Sequence, residues 1–258
     1  MRQYNYGKLA EYYDAMELSL GDGYKKTTDL LDEIFKKHRI KTVLDMTCGT
    51  GTQTIGLRKK GYRVTGSDIS KNMLKYAKRK SMGLGIKYCL GDIRESKFGK
   101  FDSVIAIFNA IGHLSKKDFD RAISNVSKNL KSGGLFIFDI FNLDFMRCGG
   151  FIKYKFIDVA LENDGEKIVR FNKNVLNNNG MMRVSQETFI QPCSSKPKIF
   201  REIWDMQIYT SLELRRKLER KGFKVVGLCD LSGKKLNKKK SLSILVVAEK
   251  ARICHDKM

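Results

Sequence analysis

From Thr42 to Ile140 the chain alternates short, continuously apolar runs with stretches whose apolar residues recur every three to four positions. The first pattern is that of a strand buried on both faces, the second that of a helix with one face on a core. Thr42–Met46 reads as the first strand. It breaks into a turn containing Gly49 and Gly51, and a helix from Thr52 to Lys60 follows, stopped by Gly61. Tyr62–Ser67 is the second strand and ends in Asp68, after which Ser70 is placed to cap a helix reaching Lys80. Ile86–Leu90 and Phe101–Phe108 are the third and fourth strands; helix Lys116–Leu130 leads through Lys131–Gly134 to the fifth, Leu135–Ile140. Ahead of them, Leu30, Leu31, Ile34 and Phe35 mark an amphipathic helix over Gly23–Lys37. Residues 1–20 carry Tyr4, Tyr6, Tyr12 and Tyr13 with Leu9, Met16 and Leu18, a short helical lead-in. Strands alternating with helices in this way predict an α/β fold built on a doubly wound parallel sheet.

Beyond residue 145 the pattern changes. Four strand-like segments, Phe151–Leu161, Lys167–Leu176, Met182–Gln191 and Ile199–Tyr209, are separated by the polar turns Asn163–Gly165, Asn177–Gly180 and Pro192–Pro197. Consecutive strands with short turns pair antiparallel, so this region predicts an antiparallel β insertion, or cap. The alternation then resumes with helix Ser211–Arg220 and strands Phe223–Asp230 and Leu242–Glu249. The expected units are a lead-in over 1–40, a core over 41–145 and 210–250, and a cap over 146–209.

Composition narrows the class. At 258 residues and 42% hydrophobic content the chain can bury one sizeable core. No apolar run approaches the roughly 20 residues that span a bilayer, and the opening Met1–Tyr6 lacks the apolar core of a secretory signal. A cytoplasmic protein without a membrane partner is the expectation. Six scattered cysteines form no Cys-x-x-Cys or Cys/His cluster, which predicts reduced thiols and no metal. The balance of 50 Lys+Arg against 28 Asp+Glu, a net +22, raises nucleic acid as a partner. The lysines are spread along the chain, however, and many, such as Lys116, Lys117 and Lys128, fall on wet helix faces. The basic loop Gly233–Lys240 reads as a solvated hairpin tip.

The glycine turn between strand and helix is a place where a ligand can approach bare backbone. Asp68 lies within the roughly 20-residue distance at which a strand-end carboxylate reaches the two hydroxyls of a ribose. Ile69 and Met73 can supply apolar surface beside a base, and Asp92 can accept a hydrogen bond from an adenine amino group. Taken in order, Val43–Gly51, Gly66–Ser70 with Met73-Leu74, Gly91-Asp92-Ile93, Phe101–Val104 and Leu130–Gly134 resemble the successive motifs of class I S-adenosylmethionine-dependent methyltransferases. One departure is Thr47, where the family's first glycine often sits. A nicotinamide site fits less well, because the third glycine of Gly-x-Gly-x-x-Gly would fall on Thr54. The resemblance implies a seven-stranded Rossmann-like sheet whose last strand is antiparallel, with S-adenosyl-L-methionine as cofactor and S-adenosyl-L-homocysteine as product. It also implies roles: Gly49 and Gly51 cradle the methionine end and Asp45 supports the loop and the bound amino group. Asp68 holds the ribose, Ile69 and Met73 flank the adenine, and Asp92 and Ile93 address its edge. Asn109 to His113 form the wall between cofactor and acceptor.

A cap after the fifth strand resembles the small-molecule N-methyltransferases, including the glycine/sarcosine and aminosugar enzymes. Leu20-Gly-Asp22, Met73–Ala77 and Asn109-x-x-x-His113-Leu114 are similar to glycine N-methyltransferase in particular. In that group the stretch after strand five reads Asp-x-Arg-Asn-x-Asp, its arginine being the expected clamp for a carboxylate; here Phe141 stands in its place. Glycine is therefore disfavoured as acceptor unless an arginine of the cap, such as Arg170, Arg183 or Arg201, takes over. For an amine acceptor, His113, Tyr12 or Tyr13 would orient the nitrogen or accept its proton, with Asn109 beside them. Trp204 reads as a cap-core aromatic. Transfer to a small-molecule amine is the first expectation. An RNA- or protein-directed methyltransferase and a non-catalytic nucleoside-binding regulator are the alternatives.

Overall fold

The computed structural model describes residues 12–14, 16, 23–149, 155–163, 165–193 and 195–252. Of the expected lead-in, Tyr4, Tyr6, Leu9 and Leu18 lie outside the described residues, as do the start of the first cap segment and Cys254. The core opens with α1 (Gly23–Lys37), β1 (Thr42–Asp45), α2 (Thr52–Lys59), β2 (Arg63–Asp68), α3 (Lys71–Lys80), β3 (Lys87–Leu90) and β4 (Phe101–Ala106). A single 3-10 turn, Ala110–His113, precedes α4 (Lys116–Asn129) and β5 (Leu130–Phe141). The short α5 (Leu143–Arg147) leads into the cap strands β6 (Phe156–Asn163), β7 (Glu166–Leu176), β8 (Met181–Gln191) and β9 (Lys198–Gln207). Then α6 (Ser211–Glu219), β10 (Phe223–Cys229) and β11 (Ser243–Lys250) return to the core.

The main sheet has seven strands in the order β10-β11-β5-β4-β1-β2-β3, and the cap is a separate four-stranded antiparallel sheet. Within the main sheet β11 runs antiparallel to both β5 and β10, while β1 pairs parallel with β2 on one side and β4 on the other. The doubly wound fold with a reversed closing strand is as expected. β5 is longer than the pattern implied, because Leu130 already pairs with Phe101 before the glycine stretch and the register shifts across it.

Alternation along the strands explains why both faces are covered. Leu44, Val104, Phe136, Phe138 and Val246 point to the face packed by Phe119, Ile123 and Val126 of α4 and Leu214 and Leu218 of α6. Their neighbours Val43, Ile105, Ile137 and Leu245 point to the other face, onto Leu31 and Phe35 of α1 and Leu57 of α2. Each such large side chain, once buried, contributes about 1.5–3 kcal/mol of transfer free energy. Strand order reverses between β1 and β4, so the loops after them splay to opposite faces and leave a crevice at the carboxyl edge.

Polar staples fix the helices that flank this crevice. Asp32 of α1 is buried and accepts from the Tyr62 hydroxyl at 2.6 Å, Lys36 Nζ at 2.9 Å and Lys60 Nζ at 3.2 Å, tying α1 to the end of α2. Burial alone would raise the Asp32 carboxyl; the tyrosine and the two ammonium groups outweigh it and hold it at about 2. No described helix is long and apolar enough to cross a membrane.

Because the folded value lies below the unfolded one of about 4, the stabilisation from Asp32 is present above pH ~4 and is lost as pH falls toward 2. Asp32→Asn is expected to cost about 2 kcal/mol at pH 7, the range for hydrogen bonds to a charged group. Denaturant melts of both proteins check this: the gap should close between pH 4 and pH 2, and a gap that persists unchanged would contradict the assignment.

Candidate active site

The crevice is floored by the loop from β1 to α2. Met46 N–H donates to Ile105 O and Cys48 N–H to Ser67 O, so the loop is strung between the two strands that flank β1. Gly49 turns at φ +53°, and its N–H donates to Asp68 Oδ2 at 2.8 Å; Asp68 Oδ1 accepts from Ser70 N–H at 2.9 Å. The strand-end acid and the glycine turn, which the sequence put side by side, are thus one hydrogen-bonded unit. Gly49 lines the pocket and a Cβ there would meet nothing within 4 Å. Gly51 is not among the residues that line the pocket; at φ +85°, a Cβ there would fall 2.8 Å from the Tyr88 hydroxyl and 3.1 Å from Ala77 Cβ. A bare backbone is required there so that α2 can start close against α3 and β3.

Two further acids, Asp45 and Asp92, line the same crevice with their neighbours. Asp45 is 2% exposed, accepts from Thr54 Oγ1 at 2.7 Å and Thr47 N–H at 3.4 Å, and is pushed up to about 7 by its burial. Burial likewise raises Asp68, against its backbone hydrogen bonds. Ile69, exposed, and Met73, buried and with its N–H held by the Ser70 cap, both line the crevice. Asp92 and Ile93, just past the strand paired with β2, line the crevice together with Arg94, which sequence reasoning passed over.

The remaining wall is a strained turn. Phe108 and Asn109 have φ of +64° and +58°, a region that costs a non-glycine residue about 1 kcal/mol or more. Asp139 of β5 holds them there, its oxygens accepting Phe108 N–H at 2.5 Å and Asn109 N–H at 3.1 Å; burial raises this carboxyl to about 7. The structure does not bring the Asn109 side chain to the pocket. Its Oδ1 accepts from Phe141 N–H at 3.1 Å and its Nδ2 lies 3.8 Å from Met206 Sδ, so it braces the turn from behind. His113 and Leu114 do line the pocket, as do Tyr13 and Tyr24, the last with its ring 4.4 Å from that of Phe108. Burial draws His113 down to about 4, leaving a neutral imidazole at physiological pH.

The described residues at the start of the lead-in contact both the cap and the loop from β1 to α2. Tyr12 and Met16, one helical turn apart, pack on Val159, Ile168 and Ile190 of the cap, while Asp14 accepts from Thr50 Oγ1 and pairs with Lys80. Tyr13 faces the pocket between them. None of the cap arginines reaches it: Arg170 pairs with Asp158, Arg183 with Asp205 and Arg201 with Glu187. Phe141 packs with the cap cluster that also buries Trp204, whose expected cap-core place is where the structure puts it. Among the described residues no group of His, Cys, Asp and Glu could hold a metal ion. Tyr24 and Asp139 were missed as well. A carboxylate inside the apolar run Leu135–Ile140 was the available signal for Asp139; nothing local marked Tyr24.

Residues 43–134 match the methyltransferase domain family. Glycine N-methyltransferase of Homo sapiens is 30% identical over 170 residues, 57% of either chain. A dTDP-3-amino-3,6-dideoxy-alpha-D-glucopyranose N,N-dimethyltransferase of Streptomyces fradiae is 28% identical over 135 residues, 51% of this chain and 52% of that protein. The chain therefore spans little more than half the length of these relatives. The crystal structure of an S-adenosylmethionine-dependent methyltransferase from Clostridium acetobutylicum superimposes over 95% of this chain and 99% of its own with a TM-score of 0.81 at 23% identity, so the fold is that of this class of enzyme.

Asp139→Ala leaves one buried and one part-buried N–H group unpaired on a strained turn and is expected to cost about 2–4 kcal/mol. Asp139→Asn, which keeps one acceptor, should cost about half as much. Thermal melts with a probe of the pocket aromatics check the order; equal stability of all three proteins would contradict the bracing role.

Proposed function

We propose that this chain is an S-adenosylmethionine-dependent methyltransferase acting on an amine nitrogen of a small molecule. The observation that carries the reading is one crevice lined at once by the Asp68–Gly49 unit and by a neutral His113. The residues fit the cofactor. Gly49 offers bare backbone, and the start of α2 at Thr52 has no side-chain cap. Asp45, poised near 7, would be ionised by a cationic amino group placed beside it. Asp68 keeps acceptor capacity beyond its two N–H partners for ribose hydroxyls, and exposed Ile69 offers an apolar face to a base.

The bound cofactor supplies an activated sulfonium methyl, so the protein's part is positioning and exclusion of water. His113 in its neutral form can accept a hydrogen bond from an amine N–H and orient the lone pair toward the methyl group; Tyr13 and Tyr24 close the wall around it. Asn109 acts only through the turn it braces. With Phe141 in place of an arginine and the three cap arginines paired, an acceptor without a carboxylate handle is favoured over glycine. The aminosugar methyltransferase among the relatives agrees with that preference. The net charge of +22 keeps an RNA-directed reading in view.

Calorimetry with S-adenosylhomocysteine should give measurable affinity that Asp68→Ala removes; absence of binding by the unmodified chain would sink the reading. Labelled methyl transfer to pooled amines, amino acids and RNA then identifies the acceptor, and transfer to RNA alone would replace the small-molecule proposal. Because His113 titrates at about 4, it should contribute no break near 6.5 in kcat/KM. The acid limb should follow the acceptor's own pKa, moving between two amines of different basicity. A break that stays near 6.5 for both and vanishes in His113→Asn would contradict a neutral imidazole.

A further inference from the structure

Arg94 lines the same pocket as Asp68 and His113, and its cation is spent on a carboxylate. Nε lies 2.9 Å from both Oδ1 and Oδ2 of Asp92 and Nη2 lies 2.5 Å from Oδ2, while the Arg94 backbone N–H donates to Oδ1 at 2.8 Å. Behind the guanidinium, Asp118 approaches Nη1 at 3.7 Å, and Asp118 is itself held by Ser115 Oγ at 2.7 Å and by Arg121 at 3.2 Å. Glu95, paired with Arg121 at 3.7 Å, completes the charged groups around the pair. Burial alone would raise the Asp92 carboxyl, but Arg94 reverses the effect and holds it below the usual range.

Three N–H groups of one residue engage the carboxylate, the Nε–H shared between its two oxygens, and three donors against about four acceptor positions leave roughly one for another partner. Asp92 lines the pocket, so that position is available to a ligand. A lone carboxylate in a partly buried wall can rotate, and it can take up a proton and become a donor. A planar guanidinium engaged along both oxygens forbids both. An ionised, oriented carboxylate accepts from a 6-amino purine and repels the lone pairs of a 6-oxo purine. We infer that Arg94 is a positioning residue: it fixes Asp92 as a pure acceptor and thereby makes the site select a 6-amino over a 6-oxo purine nucleoside. The inference rests on the S-adenosylmethionine reading above.

Calorimetry on the full chain with S-adenosylhomocysteine and its 6-oxo counterpart, S-inosylhomocysteine, tests it. The unmodified protein should prefer the 6-amino ligand by about tenfold or more, the range for a hydrogen bond to a charged group. Arg94→Met should cut that preference by at least about fivefold, and Arg94→Lys, which keeps charge without the fork, should fall between. Asp92→Asn should lose the preference with Arg94 intact. An Arg94→Met protein that weakens both ligands by the same factor overturns the inference and leaves the cofactor reading standing. Failure of the unmodified protein to bind either ligand overturns both. Should Arg94→Met not fold, an unchanged preference in Arg94→Lys together with Asp92→Asn overturns it equally.

Discussion

The whole site hangs on a problem of solvation: a parallel sheet ends its strands in a crevice where acids are wanted, yet burial there makes a carboxylate expensive. Each acid at this edge has a different settlement. Asp68 is met by the N–H groups of Gly49 and Ser70. Asp139 is met by those of Phe108 and Asn109, and Asp45 by Thr54 and Thr47. Only Asp92 has a full cation, Arg94. The directions of titration follow from these partners: neutral donors leave Asp45, Asp68 and Asp139 raised, and the guanidinium alone pulls Asp92 down. The same hydrogen bonds that make the acids tolerable shape the loops, so geometry and charge at this edge are a single property.

The other side of the crevice is closed by parts distant in sequence. Asp14 and Tyr12 tie the chain ahead of α1 to the β1–α2 loop and to the cap. Met206 of β9 contacts the side chain of Asn109, whose oxygen also receives Phe141 N–H. The cap is thereby joined to the turn that carries His113, and a shift of the cap would reach this wall of the pocket through Asn109. A residue expected at the reacting centre is instead the joint between two sheets.

Much of this was legible in the chain. Periodicity placed the strands of both sheets, and the glycine turn and the strand-end Asp68 were each marked in the chain, although the hydrogen bond that joins them was not. The fine roles were hidden because they depend on side-chain direction. Gly49 and Gly51 look alike in sequence, but only packing against Tyr88 and Ala77 separates them. Asn109 was misplaced because a positive-φ turn swings its side chain inward, and no local pattern announces such a turn in Phe-Asn. Cap arginines look free when read one at a time; each finds a carboxylate across a hairpin or a neighbouring strand.

The balance of charge gains a meaning from this placement. The chain carries +22, yet the crevice gathers Asp45, Asp68 and Asp92, with Asp139 just behind its wall. A sulfonium cofactor with an amino group brings positive charge, and surface lysines alone would repel it. Screening confines their field to about 8 Å at physiological salt, so the groups inside the crevice, Asp45, Asp68 and the Asp92–Arg94 pair, decide what a bound ligand feels. Basic charge outside and carboxylates inside are therefore two separate fields, and the one met within the crevice is set by how Asp45, Asp68 and Asp92 are each solvated.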